Sequence, residues 1–210
     1  MQTRKVYLYV FDTMADWEIG YLMAELNTGR YFKKGLEPLE VMTVGIDRSP
    51  VTTMGGITIL PTMAVAECHL NSMDVLILPG GNTWLESIHE PVLNEVSKAL
   101  NENVFVAAIC GATFGLAKVG LLDTRQHTSN DLEYLKMLCP HYIGGDEHFK
   151  QKPAVTEGNL VTASGIAPLY FAYHVLRLLD VFTSETLHAW YKLYETQEKK
   201  YFYELMTSIE

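Results

Sequence analysis

The sequence predicts a single α/β domain, a mostly parallel β-sheet covered by helices with one small β-hairpin, and three observations carry that expectation. Short runs rich in β-branched and aromatic residues recur at 5–11, 39–45, 75–78, 104–109 and 160–163, each bounded by turn residues. Longer amphipathic stretches separate them, and strands alternating with helices build parallel sheets buried on both faces. The 210 residues, 48% of them hydrophobic, suffice for one sizeable core but hardly for two, and no linker, repeat or low-complexity tract divides 1–210.

In chain order, Arg4 and Lys5 precede six apolar-leaning residues, Val6 to Phe11, a strand too short for a signal-peptide core. Residues 17–30 read as the first helix. Gly55-Gly56 between two β-prone pieces predicts a small antiparallel hairpin over 51–60. The stretches 91–101, 111–119, 130–138 and 168–179 read as helices, with Pro91 and Pro168 at first-turn positions where proline is tolerated. After Asp180, Ser184 is placed to cap a final helix carrying Leu187, Trp190, Tyr191, Tyr194, Phe202 and Leu205. This aromatic stripe reads as a packing face, against the domain or a second subunit, rather than as a cofactor box.

Charge and cysteine usage narrow the function. A net charge of −9 opposes nucleic acid and anionic membrane surfaces, and no run of Lys and Arg offers a local exception. No run approaches a membrane span. Cys68, Cys110 and Cys139 are odd in number and widely spaced, as reduced thiols in a cytoplasm would be, and no CxxC pair suggests zinc. No metal or cofactor is expected. Asp146-Glu147-His148 has ligand-type residues, but three adjacent ligands seldom converge, and a solvated loop is the better reading.

Chemistry is expected at Cys110. It follows a buried strand directly and opens a helix, so it stands on a sharp turn at the carboxyl end of a central strand, where open α/β sheets bind ligands. Ala108, Gly111 and Ala112 are the small neighbours that such a nucleophile elbow demands. A thiol at a helix N-terminus is favoured as thiolate. A second feature, Leu78-Pro79-Gly80-Gly81, closes another buried strand; alone it is an ordinary turn, but Gly81 and Gly111 together could present N–H groups to an oxyanion. A third, Asp16-Trp17-Glu18, starts the first helix, where position alone favours a solvated first-turn acid.

These pieces, in this order, resemble the ThiJ/PfpI superfamily. The resemblance rests on Ala15-Asp16-Trp17-Glu18, Leu78-Pro79-Gly80-Gly81, Ala107-Ala108-Ile109-Cys110-Gly111-Ala112, Gly120-Leu121-Leu122-Asp123 and Leu160-Val161-Thr162-Ala163-Ser164-Gly165, and spans almost the whole chain. It implies a flavodoxin-like three-layer sandwich with helices on both faces, Cys110 as nucleophile, Glu18 as a protonated acid beside it, Gly81 and Gly111 as backbone donors, and a homo-oligomer, a dimer above all. The third catalytic group departs from the family pattern. Where many relatives have histidine, the register places Asn130, with His127 three residues earlier and on the opposite face of any strand. Asn130 can hydrogen-bond but cannot accept a proton, which leaves Cys110 and Glu18 as the working pair.

The resemblance implies a cysteine-dependent, hydrolase-like enzyme of protease, glyoxalase, deglycase or amidotransferase-like type acting on a small carbonyl or acyl substrate. The alternative is a redox sensor or stress-response chaperone using the same oxidisable Cys110. Glutaminase chemistry is disfavoured, because the related amidotransferases pair their cysteine with a late His-x-Glu, and no His-x-Glu occurs here.

Overall fold

The computed structural model describes residues 4–145 and 147–209. In chain order the strands are β1 (Lys5–Tyr9), β2 (Glu40–Gly45), β3 (Val51–Thr52), β4 (Thr58–Ile59), β5 (Met63–Ala64), β6 (Val75–Leu78), β7 (Phe105–Ile109), β8 (Ala154–Glu157) and β9 (Leu160–Ala163). Seven of them form one sheet in the order β5-β2-β1-β6-β7-β9-β8, parallel throughout except where β8 meets β9. The inner strands β2-β1-β6-β7-β9 have the 2-1-3-4-5 order of flavodoxin-like sheets. β3 and β4 are the expected antiparallel hairpin.

The helices are α1 (Gly20–Thr28), α2 (Glu90–Asn101), α3 (Gly111–Lys118), α4 (Leu132–Leu138), α5 (Pro168–Leu179), α6 (Ser184–Thr196) and α7 (Lys199–Ser208). Right-handed crossovers leaving β1 and β6 in opposite directions put α1 on one face and α2 on the other. α5 packs on α1, and α3 packs on β7 and α4. With both faces covered, β6 is apolar throughout and its four residues are each at most 2% exposed. Burying such side chains is worth about 1.5–3 kcal/mol apiece.

Three helix expectations need correction. The stretch read as one helix over 17–30 is a single 3-10 turn, Asp16–Glu18, followed by α1, and Arg30 lies beyond it. There Arg30 clamps the buried Glu25 with two hydrogen bonds of 2.9 and 2.6 Å, and Trp190 Nε1 donates to the same carboxylate at 3.0 Å, tying α1 to α6. The helix read from Asn130 starts at Leu132, because Asp131 accepts a hydrogen bond from Tyr134 N–H at 2.8 Å and caps it, leaving Asn130 free to point elsewhere. The final helix is two, broken at Gln197 in a left-handed conformation, and its cap is Thr183 rather than Ser184. Trp190 and Leu205 from the aromatic stripe are buried within the domain. Tyr194 and Phe202 remain partly exposed.

His89 links the core to the cysteine turn. It is 1% exposed, hydrogen-bonds Tyr9 Oη at 2.8 Å and Thr83 Oγ1 at 2.9 Å, and stacks on Trp84, whose ring lies against Gly111 and Gly115 of α3. Burial pushes its pKa down to about 4. A depressed base stabilises fully above its unfolded value near 6.5, and that contribution is lost as pH falls through about 4. His89→Gln is therefore expected to remove up to about 3 kcal/mol of the stability lost between those pH values. Urea unfolding at stepped pH measures this; an unchanged pH slope in the variant would place the acid sensitivity elsewhere.

Candidate active site

The carboxyl ends of β1, β6, β7 and β9 open beside the β1/β6 boundary, where the strand order reverses and such sheets form a crevice. Cys110 stands at the end of β7 with φ 58° and ψ −124°. A side chain in that region costs on the order of 1–3 kcal/mol and persists only where its surroundings fix it. The fixing bonds are present: Cys110 N–H donates to Ala163 O at 2.9 Å, and its carbonyl accepts from Thr113 N–H at 3.0 Å and Thr113 Oγ1 at 2.6 Å. Ala108 and Ala112, both fully buried, leave room for the turn.

Glu18 is 0% exposed, so the first-turn acid is a buried group and not a solvated one. Its Oε2 accepts from Gly80 N–H at 2.6 Å. Its Oε1 has no hydrogen-bond partner among the described residues. Carboxyl and thiol share one small space bounded by two glycines. A Cβ built on Gly165 would stand 2.6 Å from Cys110 Sγ and 3.1 Å from Glu18 Oε1; one on Gly80 would stand 2.7 Å from Cys110 Cβ and 2.7 Å from Glu18 Oε2. Asp16, the other acid in this segment, instead accepts from Gly55 N–H at 2.5 Å and anchors the β3–β4 hairpin.

Asn130 completes the group. Its Nδ2 donates to Cys110 Sγ at 3.3 Å. Its Oδ1 accepts from Gly165 N–H at 2.7 Å and Ser164 Oγ at 3.4 Å. Because a backbone N–H can only donate, Oδ1 must face Gly165, which aims the NH2 group at the sulfur. His127, the other candidate third group, is not brought to the cysteine. It is fully buried, one ring nitrogen bonded to Arg125 O at 2.7 Å and the other to Tyr142 Oη at 2.5 Å, with only an isolated bridge to Phe149 where a strand was considered. Both nitrogens are occupied, so no Cys110–His127 dyad forms.

Gly81 and Gly111 lie against each other: a Cβ on Gly111 would meet Gly81 O at 2.7 Å and Gly81 N at 3.3 Å. The Gly111 N–H faces the sulfur. Gly80 is the donor that sequence reading passed over, although it stands in the same Pro-Gly-Gly turn; Gly165, too, carried no assigned role. Of the ligand-type run Asp146-Glu147-His148, Asp146 lies outside the described residues, the Glu147 carboxylate stands 3.8 Å from His148 Nε2, and its carbonyl accepts from Lys150 Nζ at 3.1 Å. Among the described residues no three His, Cys, Asp or Glu side chains converge as metal ligands.

Burial pushes the Glu18 carboxyl up to about 7. Burial, then the Glu18 charge, push the Cys110 thiol up to about 11, against the helix-terminus effect expected from sequence. The two titrate as a pair, losing a first proton near the lower value and a second near the higher. In between, one negative charge and one proton are shared. A thiolate there receives N–H donors from Asn130 and Gly111 and can take the proton of Glu18 Oε1, which otherwise has no partner; a carboxylate would receive Gly80 N–H and the thiol alone. More donors converge on sulfur, and hydrogen bonds to a charged form favour it. Cys68 is pushed up to about 12 by burial, and Cys139 donates to Phe114 O at 3.4 Å, so neither has such an environment.

Comparison with known proteins places the chain in a family. The DJ-1/PfpI family model matches residues 4–178. The uncharacterized protease YoaZ of Bacillus subtilis is 58% identical over 209 residues, covering 100% of this chain and 99% of that protein. The uncharacterized protease YdeA of the same organism is 34% identical over 184 residues, covering 88% and 87%. The crystal structure of a thiJ/pfpI family protein from Bacillus anthracis superposes with a TM-score of 0.97 at 58% identity, covering 100% of this chain and 98% of that one. With the family model across most of its length and relatives matching it end to end, this chain belongs to the DJ-1/PfpI family.

Proposed function

We propose that the protein is a cysteine-dependent, hydrolase-like enzyme acting on a small carbonyl or acyl substrate, with Cys110 as nucleophile and Glu18 as the acid that holds and returns the proton. The observation that carries this reading is the strained Cys110 backbone, which sets a half-buried sulfur against a buried carboxyl with an orphan oxygen. Strain retained at such a point marks a site whose surroundings over-determine it. The thiolate would add to the carbonyl carbon, whose π pair moves to oxygen, and the Gly81 and Gly111 N–H groups would meet that oxyanion. With an acyl substrate, collapse expels the leaving group with a proton from Glu18 or water, and water then hydrolyses the thioester. The names of YoaZ and YdeA as proteases favour acyl over purely redox chemistry.

The test is turnover of a panel holding fluorogenic peptides, activated esters and a 2-oxoaldehyde. Saturable turnover of one class, lost in Cys110→Ser with unchanged far-UV circular dichroism, is expected; full retention in that variant would sink the reading. A second reading rests on the same donors. Asn130, Gly111 and protonated Glu18 also suit the oxygens of a sulfinate, as in a peroxide sensor. Gain of two oxygen atoms at Cys110 under mild peroxide, with no turnover on any class, would favour it.

A further inference from the structure

On the β8 edge of the sheet lies a cavity of about 400 Å³ whose walls include Gln126, Lys150, Lys152, Thr156, His174 and Arg177. Its cations come from the segment before β8 and from the last turn of α5, so the fold assembles a basic cluster that no run of the sequence displays. In a chain of net charge −9 that convergence needs a reason. Among the described residues none of Lys150, Lys152 and Arg177 forms a salt bridge. Nearby acids are engaged elsewhere: Glu157 pairs with Arg125 at 3.2 Å, and Asp180 with Lys33 at 2.6 Å.

Neutral donors face the same space. Thr156 Oγ1 and His174 Nδ1 are 2.7 Å apart, so whichever of them donates in that bond, the pair keeps one further N–H or O–H group to offer. Burial, with the charges of Arg177 and Lys152, holds His174 down to about 4 and keeps its ring neutral. Like charges gathered around a concavity without a carboxylate create a field that an anion relieves.

We propose that this cavity binds a phosphoryl group, free or on a small phosphomonoester. The Arg177 fork suits two of its oxygens, the two ammonium groups supply charge from other directions, and Gln126, Thr156 and His174 add neutral donors. The volume lies within the range of small-ligand sites. A carboxylate, with two oxygens, would use fewer of these groups.

The experiment is calorimetric titration of the full chain with inorganic phosphate, glycerol 3-phosphate and acetate at matched ionic strength, with the His174 ring followed by NMR. Saturable phosphate binding is expected, with an upward shift of the His174 titration, because a bound anion offsets the Lys152 and Arg177 charges. Lys152→Gln and Arg177→Gln, both on exposed side chains, should each weaken binding by about tenfold or more, as loss of a charge-assisted contact does. Tighter glycerol 3-phosphate binding would assign a phosphomonoester; equal binding would assign free phosphate. Binding of acetate as tight as phosphate would overturn the phosphoryl assignment. Absence of saturable binding, or binding unchanged in both variants, would overturn the site itself and leave the lysines as edge-strand guards against strand pairing.

Discussion

Glu18→Leu is expected to slow iodoacetamide alkylation of Cys110 at pH 7 on the order of 10- to 100-fold, the worth of one hydrogen bond to a charged group of about 1.5–3 kcal/mol. Glu18→Gln should stay close to wild type, because a side-chain amide can donate where the protonated carboxyl did. The wild-type rate should rise with a midpoint near 7, where the pair loses its first proton, and not near 11, where it loses its second. Intact mass against time at stepped pH reads all three proteins. A wild-type midpoint near 11 would mean that the shared proton rests on sulfur and the carboxyl carries the charge, which would remove Cys110 as a nucleophile at neutral pH. The same raised carboxyl has a consequence for stability. An acid lifted from 4.5 to about 7 stabilises fully below the lower value, and that contribution is lost as pH rises through the higher. Glu18→Gln should therefore flatten the stability profile between them, opposite in sign to the effect of His89→Gln.

The inner sheet was legible because β1, β6, β7 and β9 are mostly apolar, largely buried runs bounded by turns, and β2, buried only at Val44 and Gly45, is a β-branched run bounded in the same way. β8 was missed because an edge strand needs no such run: Thr156 and Glu157 are only half-buried, and Lys152-Pro153 precede it. Its signal was the Gly158-Asn159 pair before Leu160, a hairpin turn with Gly158 at φ 56°. β5 has two residues and too little sequence to show periodicity. At the site, Cys110 was readable because its neighbours must be small. Glu18 could be placed there only through resemblance, since burial of a first-turn acid depends on what β6 and β7 bring over it. Position in the register set Asn130 apart from His127, but no local pattern shows that Gly165 fixes the amide or that Tyr142 occupies the imidazole. The basic cavity was invisible for the same reason: Arg177 is distant in sequence from Lys150 and Lys152 and meets them only when α5 docks on β8.

Gly165→Ala should reduce Cys110 alkylation at pH 7 by roughly 100-fold while costing about 1–3 kcal/mol of stability, the usual range for an added methyl in a filled space. The new carbon would lie 2.6 Å from Sγ and 2.8 Å from Cys110 Cβ. Sulfur could rotate away, but Cβ could not, because Cys110 is held at both its N–H and its carbonyl in a conformation with no slack. Either response breaks the Asn130 Nδ2 contact at 3.3 Å, and a shift of Gly165 itself would loosen the bond from its N–H to Asn130 Oδ1 that orients the amide. The thiolate would thus lose a donor and its alignment together, and misplacement of a reacting atom costs rate far more than it costs stability. Gly20→Ala is the matched control, since a Cβ there meets nothing within 4 Å and should leave both quantities unchanged. Were Gly165→Ala to react within a fewfold of wild type while Gly20→Ala also did, the position of the sulfur would be set by something other than the two glycines, and the shared space of thiol and carboxyl would lose its role in activating Cys110.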